Sequence, residues 1–180
     1  MSVGRTKRGS VASSNGIDAI RAGSPDALAA LYRECGGGLY RLAYRLTGTR
    51  EDAEDVVHDV FVGLPEALGR YEERGSFAGW LKRVTARVAL MRLRTRARRR
   101  EVALDATLAT ADRPADGEGV TLQAAIDALP DRLRCVLVLK EVEGHSHAEV
   151  GALLGISAGA SRVRLNRAMS LLRKRMEDGR

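Results

Sequence analysis

Apolar residues recur every three or four positions along most of the chain. The spacing holds almost without interruption from residue 17 to about residue 100, and it is the period of one buried face of an α-helix. Ser24, Thr49 and Ser76 each precede a periodic stretch, and hydroxyl side chains favour the N-cap of a helix. The pattern predicts successive helices from these residues, with a break at glycines 36–38. The last helix is expected to bury one face made of Phe77, Trp80, Leu81, Val84, Val88 and Met91.

The pattern changes at residues 101–119, where periodicity fades and acids, glycine and proline accumulate. This composition is typical of a linker. A second helical block follows at 120–180, in which the apolar run 136–139 fits a strand taken alone but has flanks that favour a buried helix. Residues 1–16 are rich in serine and glycine and are expected to form a disordered tail. The predicted fold is all-α, with two small helical domains, 17–100 and 120–180, joined by a flexible linker.

Charge separates this chain from most soluble domains. Its 180 residues include 30 Lys and Arg against 23 Asp and Glu, for a net charge of +7 and an isoelectric point near 10.0. Such a basic chain suits a polyanionic partner, either nucleic acid or an anionic membrane surface. The sequence contains neither a signal peptide nor a membrane-spanning run, so we expect a soluble, cytoplasmic protein without membrane insertion. Cys35 and Cys135 are expected to be buried, reduced thiols.

The most specific local signal is a predicted helix-turn-helix at residues 146–159. Gly151 is small where the two helices would touch, Gly155 suits the turn, and Ser157 suits the cap of a second helix that runs to about Met176. The expected buried stripe of that helix is Leu165, Ala168, Met169, Leu172 and Met176. Its polar residues include Arg162, Arg164, Asn166 and Arg167. Arginine binds guanine and asparagine binds adenine in the major groove. DNA binding is therefore favoured over a helical hairpin with a solvated basic face.

A second basic feature runs from Lys82 to Arg100 and begins beside Tyr71, Phe77 and Trp80. Basic residues interleaved with aromatic ones suit single-stranded or unstacked bases. A solubilising helix end is the alternative for the arginines, and core packing is the favoured role for Phe77 and Trp80.

An acidic helix has the opposite character. Its acids are Glu51, Asp52, Glu54, Asp55 and Asp59, with no Lys or Arg among them. A docking face for a basic protein surface is one interpretation, a solvated face is another, and a metal site at Glu54 and His58 is a remote third. His145 and His147 are interpreted as surface or capping residues. No catalytic motif is found, so we expect no enzyme activity, no cofactor and no metal.

These features together resemble the extracytoplasmic-function group of bacterial sigma factors, across about 26–100 and 122–176. Residues 52–61 and 75–81 are similar to the sequence of sigma region two. Residues similar to region four are Leu129-Pro130, Arg134, 143–146, 154–157 and Arg164-Leu165. The resemblance implies a subunit that directs core RNA polymerase to promoters, helps to melt them, and is commonly held inactive by an anti-sigma factor.

The resemblance also implies roles for individual residues. Core polymerase would bind Asp52, Asp55, Val56, Asp59 and Phe61. The downstream promoter element would contact Tyr71, Ser76, Trp80, Lys82, Arg83, Arg87 and Arg94. The upstream promoter element would contact Ser157, Arg162, Arg164, Asn166 and Arg167. The alternative functions are a stand-alone helix-turn-helix regulator and an interaction protein whose basic faces meet an acidic partner or a membrane.

Several positions depart from the family pattern. Arg87 and Met91 stand where relatives often carry Asn and Asp, so unusual downstream contacts are expected. Gly63 and Pro65 are expected to interrupt a helix that is usually continuous in the family, and Pro65, where relatives often carry Trp, is expected to kink it. Ser161 and Val163 exchange an apolar and a polar position, and a serine at a packed site is expected to loosen the recognition helix.

Overall fold

The computed structural model describes residues 14–72, 76–104 and 121–178, and every regular element in these ranges is helical. The helices are α1 (Ser14–Arg21), α2 (Pro25–Thr47), α3 (Arg50–Leu68), α4 (Phe77–Leu104), α5 (Leu122–Asp127), α6 (Asp131–Leu137), α7 (His147–Leu154) and α8 (Ala158–Asp178). A π-helical turn, Val138–Val142, continues α6. The expected all-α fold is confirmed. Residues 1–13 of the expected tail and 105–119 of the expected linker lie outside the described residues.

The helix starts predicted from hydroxyl side chains are all capped. The side-chain oxygens of Ser24, Thr49, Ser76 and Ser157 each accept a hydrogen bond from the backbone N–H three residues later, at 3.0 to 3.4 Å. Each bond satisfies one of the donors that a helix leaves unpaired at its first turn.

Two predicted interruptions are wrong. Helix α2 runs unbroken through glycines 36–38, and α3 runs unbroken past Pro65 to Leu68. In both helices, fully buried leucines flank the weak positions, such as Leu64 and Leu68 around Pro65. Tertiary packing of an amphipathic face supplies most helix stability in proteins, so it outweighs the local cost of glycine or proline.

The first four helices enclose one apolar core. Helix α2 packs against α3 and α4, and the core includes Leu42, Leu46, Val56 and Leu64. Met91, predicted to lie on the buried face of α4, is instead 62% exposed, while Ala89 and Leu93 are buried. Met91 lies two positions from each, and two residues along a helix correspond to about 200° of rotation.

The second half packs partly on itself and partly on the first. Ala125, Leu129, Leu137, Ala168 and Leu172 form a small separate core. The apolar run 136–139 is helical and buried, as predicted, and most of it joins the larger core of the first four helices. Met169 and Met176, expected in the buried stripe of α8, are 36% and 37% exposed. Because α8 contacts only a few short helices, fewer of its apolar side chains are buried than its sequence pattern predicts.

A buried arginine joins the two halves. Arg134 is 3% exposed, and its guanidinium donates to the carbonyl oxygens of Leu46 at 3.2 Å and Thr47 at 3.1 Å, at the C-terminus of α2. The same group also donates to the carbonyl oxygens of Asp127 and Leu129 and to the Asp131 carboxylate. The last carbonyls of a helix lack intrahelical donors, so Arg134 caps α2 from the other domain.

Within the described ranges, no helix is both long enough and apolar enough to cross a membrane.

Candidate protein and nucleic-acid interfaces

The acids of α3 form one ordered face. Arg92 on α4 reaches Asp52 at 3.3 Å, Asp59 at 3.1 Å and also Asp55, while Arg96 reaches Asp52 at 2.8 Å. The side chains of Asp55 and Asp59 remain 56% and 53% exposed. The face is therefore held in shape by two arginines and still presents two carboxylates to solvent.

Two apolar residues assigned to the same contact lie elsewhere. Val56 is fully buried and Phe61 is 7% exposed, and Phe61 packs edge-on against Tyr32 with ring centroids 5.0 Å apart. Both side chains are packed in the core of this structure, and their assignment to polymerase binding stays a prediction.

The acidic face is connected to the second half by ion pairs. Arg96 bridges Asp52 to Asp131, which it contacts at 3.1 Å, and Asp131 contacts the buried Arg134 at 2.6 Å. Arg92 and Arg96 both lie in the basic run 82–100, for which the sequence left DNA contact and a solubilising helix end as alternatives. Their acidic partners lie 33 to 44 positions away along the chain, so helical periodicity gave no signal for this pairing.

Three aromatic residues form a cluster at the start of α4. The Trp80 ring lies 4.8 Å from Tyr71 and 5.6 Å from Phe77. Phe77 is buried, which agrees with its expected packing role, and Trp80 is half-buried. Tyr71 is only 8% exposed and packs in this cluster, and its assignment to a direct DNA contact stays a prediction. Its backbone carbonyl accepts a bond of 3.0 Å from Arg21, which anchors the chain leaving α3.

The remaining side chains assigned to the downstream element share the surface of α4. The exposed residues are Ser76, Lys82, Arg83, Arg87 and Arg94. Lys82 pairs with Glu143 at 2.9 Å, and Arg94 donates to the carbonyl oxygen of Leu153 at 3.2 Å. The second half therefore contacts this basic face at two places, Lys82 and Arg94.

The predicted helix-turn-helix is present as α7 and α8. A capping box starts α7, with Ser146 and Glu149 each bonding the other's backbone N–H. The Glu149 carboxylate accepts hydrogen bonds from the backbone N–H and from the hydroxyl of Ser146, and these lower its pKa below the usual value because they favour the charged form. Gly155 ends α7 with φ +70°. A Cβ at Gly151 would lie 2.6 Å from the carbonyl oxygen of Ile156, so only glycine allows this close approach of the turn.

The side chains assigned to the upstream element lie near the start of α8. Ser157 caps the helix, and Arg162, Asn166 and Arg167 are exposed, while Arg164 is half-buried. The first three turns of α8 thus present two exposed arginines and an asparagine beside a polar cap. Such an arrangement can contact base edges and phosphates.

A pair that sequence reasoning missed lies behind this surface. Ser161 is completely buried, and its hydroxyl lies 2.9 Å from Nδ1 of His147 on α7. The expected cost of a serine at this packed position is offset because a buried hydroxyl with a partner loses little on leaving water. His147 was interpreted as a surface or capping residue and is instead half-buried. Helical spacing does not pair residues 14 positions apart.

Neither cysteine nor acid clustering creates a metal site in the part of the chain that the structure describes. No group of three His, Cys, Asp or Glu side chains there is placed to hold a metal ion. Cys35 and Cys135 are both unpaired thiols, and Cys135 is the more deeply buried.

Two family models match the chain. Sigma-70 region 2 matches residues 31–99, and Sigma-70 region 4 matches residues 120–172. The first match begins within α2 and ends within α4, and the second runs from α5 into α8.

Several known proteins are similar to the chain. The ECF RNA polymerase sigma factor SigE of Mycolicibacterium smegmatis is 38% identical over 152 residues, covering 79% of this chain and 59% of that protein. The ECF RNA polymerase sigma factor SigM of Mycobacterium tuberculosis is 30% identical, covering 84% of this chain and 78% of that protein. SigW of Bacillus subtilis is 28% identical, covering 90% and 95%.

Two solved structures have a similar fold. CnrH, in complex with the cytosolic domain of CnrY, has a TM-score of 0.57 at 26% identity and covers 92% of this chain and 97% of its own. The sigma factor RpoE, in complex with the anti-sigma factor NepR from Bartonella quintana, has a TM-score of 0.59 at 20% identity, covering 83% and 96%.

Proposed function

The chain belongs to the extracytoplasmic-function family of RNA polymerase sigma factors, which direct the polymerase to promoters, and we propose that it acts through three separate surfaces. The acidic face of α3 binds core polymerase, the basic face of α4 contacts the downstream promoter element, and α8 contacts the upstream element. The single observation that carries this assignment is a local separation of charge: the exposed carboxylates of Asp55 and Asp59 lie together on α3, whereas the exposed charged side chains described on α4, and those in the first three turns of α8, are all basic.

The acidic face suits a basic protein surface better than it suits DNA. Asp55 and Asp59 are half exposed and are held side by side through Arg92. Carboxylates beside a phosphate backbone would be repelled, whereas they complement a basic docking surface on the polymerase. Arg92 already holds these carboxylates in one arrangement. The loss of side-chain entropy is therefore smaller when a basic group of the polymerase takes the place of Arg92.

Charge reversal tests the docking surface. The double variant Asp55→Lys and Asp59→Lys is expected to lose co-elution with core polymerase in size-exclusion chromatography, because two attractive contacts become repulsive. Glu66→Lys is the matched control, since Glu66 lies on the same helix, is 87% exposed and makes only a 4.0 Å surface pair with Arg70. Circular dichroism of both variants checks the fold. Normal co-elution of the Asp55 and Asp59 variant would refute the docking assignment.

The downstream surface consists of the exposed residues of α4. Ser76, Lys82, Arg83, Arg87 and Arg94 can contact phosphates and bases there, with the half-buried Trp80 at one end. Tyr71 and Phe77 support this surface from the core. Lys82 and Arg94 contact the second domain in this structure, so DNA that binds these two side chains has to displace both contacts.

The upstream surface is tested by truncating exposed arginines. Arg162→Ala and Arg167→Ala are each expected to weaken recognition of the upstream element by about 1–3 kcal/mol if the side chain makes a good base contact. Arg173→Ala is the comparison, because an exposed residue farther along α8 is expected to weaken binding equally for all sequences. The assignment fails if both variants bind specific and scrambled duplexes as the wild type does.

An anti-sigma factor is a further proposed partner. Among the similar structures, RpoE is in complex with the anti-sigma factor NepR and CnrH with the cytosolic domain of CnrY, and we propose that this chain likewise binds an anti-sigma factor. We also propose that the protein acts on polymerase in the cell interior and catalyses no reaction itself. Family membership disfavours the stand-alone regulator, which needs no acidic face on α3.

A further inference from the structure

A hydrogen-bonded pair ties the recognition helix to the helix before it. Ser161 lies in the second turn of α8 with no exposed surface, and its Oγ lies 2.9 Å from Nδ1 of His147. His147 is the first residue of α7. A hydroxyl can either donate to or accept from an imidazole nitrogen, so the bond forms in either tautomer.

The hydrogen bond is directional, so it restricts how α8 can rotate against α7 more than apolar packing alone would. About one turn after His147, Gly151 lets the chain after α7 approach so closely that a Cβ would lie 2.6 Å from the carbonyl oxygen of Ile156. The His147–Ser161 bond adds a second fixed point near the beginning of α7. A buried hydroxyl that turned away from its partner would remain unpaired, which is costly. Two fixed points together determine both the position and the rotation of α8.

We propose that His147 and Ser161 are positioning residues for promoter recognition, because they fix the rotation at which α8 presents its basic side chains. The proposal rests on the proposed role of α8 at the upstream element. Successive residues of a helix are about 100° apart, so Arg162 and Arg167 point to opposite sides of the inward direction of Ser161. A rotation of α8 therefore moves both arginines relative to the base edges.

Four single variants separate the hydrogen bond from packing. Ser161→Ala removes the hydroxyl, and His147→Phe keeps a ring without its nitrogen. His147→Asn keeps a polar atom near the position of Nδ1, whereas His147→Gln places it near the position of Nε2. His145→Phe is the matched control, since His145 lies two residues earlier and takes no part in the pair.

The measurement is transcription by holoenzyme reconstituted from core polymerase and the full chain. Two templates are compared: a promoter mapped with the wild-type protein, and the same promoter with its upstream element replaced. The ratio of their transcripts is expected to fall roughly three- to tenfold for Ser161→Ala, His147→Phe and His147→Gln, as for loss of one hydrogen bond. It is expected to stay near the wild-type value for His147→Asn and His145→Phe.

The ratio distinguishes positioning from stability. A pair that only stabilised the domain would lower transcription from both templates alike and leave the ratio unchanged, and that result would overturn the proposal. The double variant His147→Phe with Ser161→Ala is expected to have no lower a ratio than the worse single variant, because both remove the same bond. Multiplication of the two single effects would also overturn it.

A second readout separates failure of this proposal from failure of the proposed function. If wild-type holoenzyme initiates equally on both templates, the role of α8 at the upstream element is wrong. Amide hydrogen exchange over residues 158–166 then tests, without DNA, whether the His147–Ser161 bond holds α8 against α7. Faster exchange in His147→Phe but not in His147→Asn supports the tie between α7 and α8, and equal exchange in both overturns it.

Discussion

At the scale of single residues, buried side-chain polar atoms such as those of Arg134 and Ser161 have hydrogen-bond partners, although Nη1 of Arg175 has none. The separation of the two partners along the sequence decides which of these bonds were predictable. The caps at Ser24, Thr49 and Ser157 follow from the sequence because each bond spans three residues. Arg134 finds its carbonyl partners 87 and 88 positions away, and no periodicity encodes that separation. In the sequence, Arg134 is recognisable only as a residue that matches the pattern of sigma region four. The fold explains why its charge is buried.

The cysteines give a prediction at the same scale. Burial raises the pKa of Cys135 from 9.0 to about 12, and burial together with Glu34 raises that of Cys35 to about 11. The thiols ionise at a lower pH in the unfolded chain than in the native one. The free energy of unfolding is therefore expected to fall as the pH rises from 9 toward 12. At about pH 8, where the thiolate is the reactive form, we expect iodoacetamide to modify Cys135 only as fast as the protein unfolds. Mass spectrometry after timed quenching measures this, and modification at the rate of an unfolded control would contradict it.

At the scale of helices, the apolar period predicted which segments are helical, and tertiary contacts decided where they end and which face is buried. Periodicity identified α2, α3, α4 and α8, but the glycine run and Pro65 did not interrupt helices whose leucines are fully buried. The exposure of Met91 and Met176 was not predictable, because an apolar side chain can be buried but need not be. The number of neighbouring helices determines how much of the face is used.

A pair of glycines tests this account of helix α2. Gly37 is exposed inside the helix and a Cβ there would meet only the end of the Arg41 side chain, at 3.7 Å. Gly37→Ala is expected to raise the free energy of unfolding by about 0.5–1 kcal/mol, because alanine loses less backbone freedom on folding. Gly48→Ala is expected to lower it by about 1–2 kcal/mol or more, since Gly48 has φ +79° and its Cβ would lie 3.0 Å from Arg134. Urea titration of both variants measures these changes, and equal signs would contradict the account.

At the scale of the whole molecule, the two domains meet through a buried arginine, a shared core and a series of ion pairs. Arg96 joins Asp52 of the acidic face to Asp131, and Asp131 joins Arg134. The sequence predicted two helical domains and the sign of each surface, because these properties are local. Their docking was not predictable, since the expected linker permits many arrangements and the contacts between domains connect distant segments.

Removal of Arg134 tests the contact between the domains. Arg134→Met is expected to lower the free energy of unfolding by about 2–4 kcal/mol, because buried carbonyl oxygens of α2 lose a charged donor. Small-angle X-ray scattering is expected to give a larger radius of gyration for this variant than for the wild type. Arg132→Met is the control, since Arg132 is exposed two residues away and surface substitutions change stability by about 0.5 kcal/mol or less. Equal stability and equal size of the two variants would contradict the role of Arg134.

The measurement that tests the central claim most directly is in vitro transcription from a library of genomic fragments, using bacterial core polymerase with and without the protein. We expect discrete new start sites that depend on the protein, share upstream sequences, and disappear with the Asp55→Lys and Asp59→Lys variant. Co-elution of the wild-type protein with the core shows beforehand that the core is compatible. Co-elution without any new start site would contradict the assignment of promoter recognition to this chain.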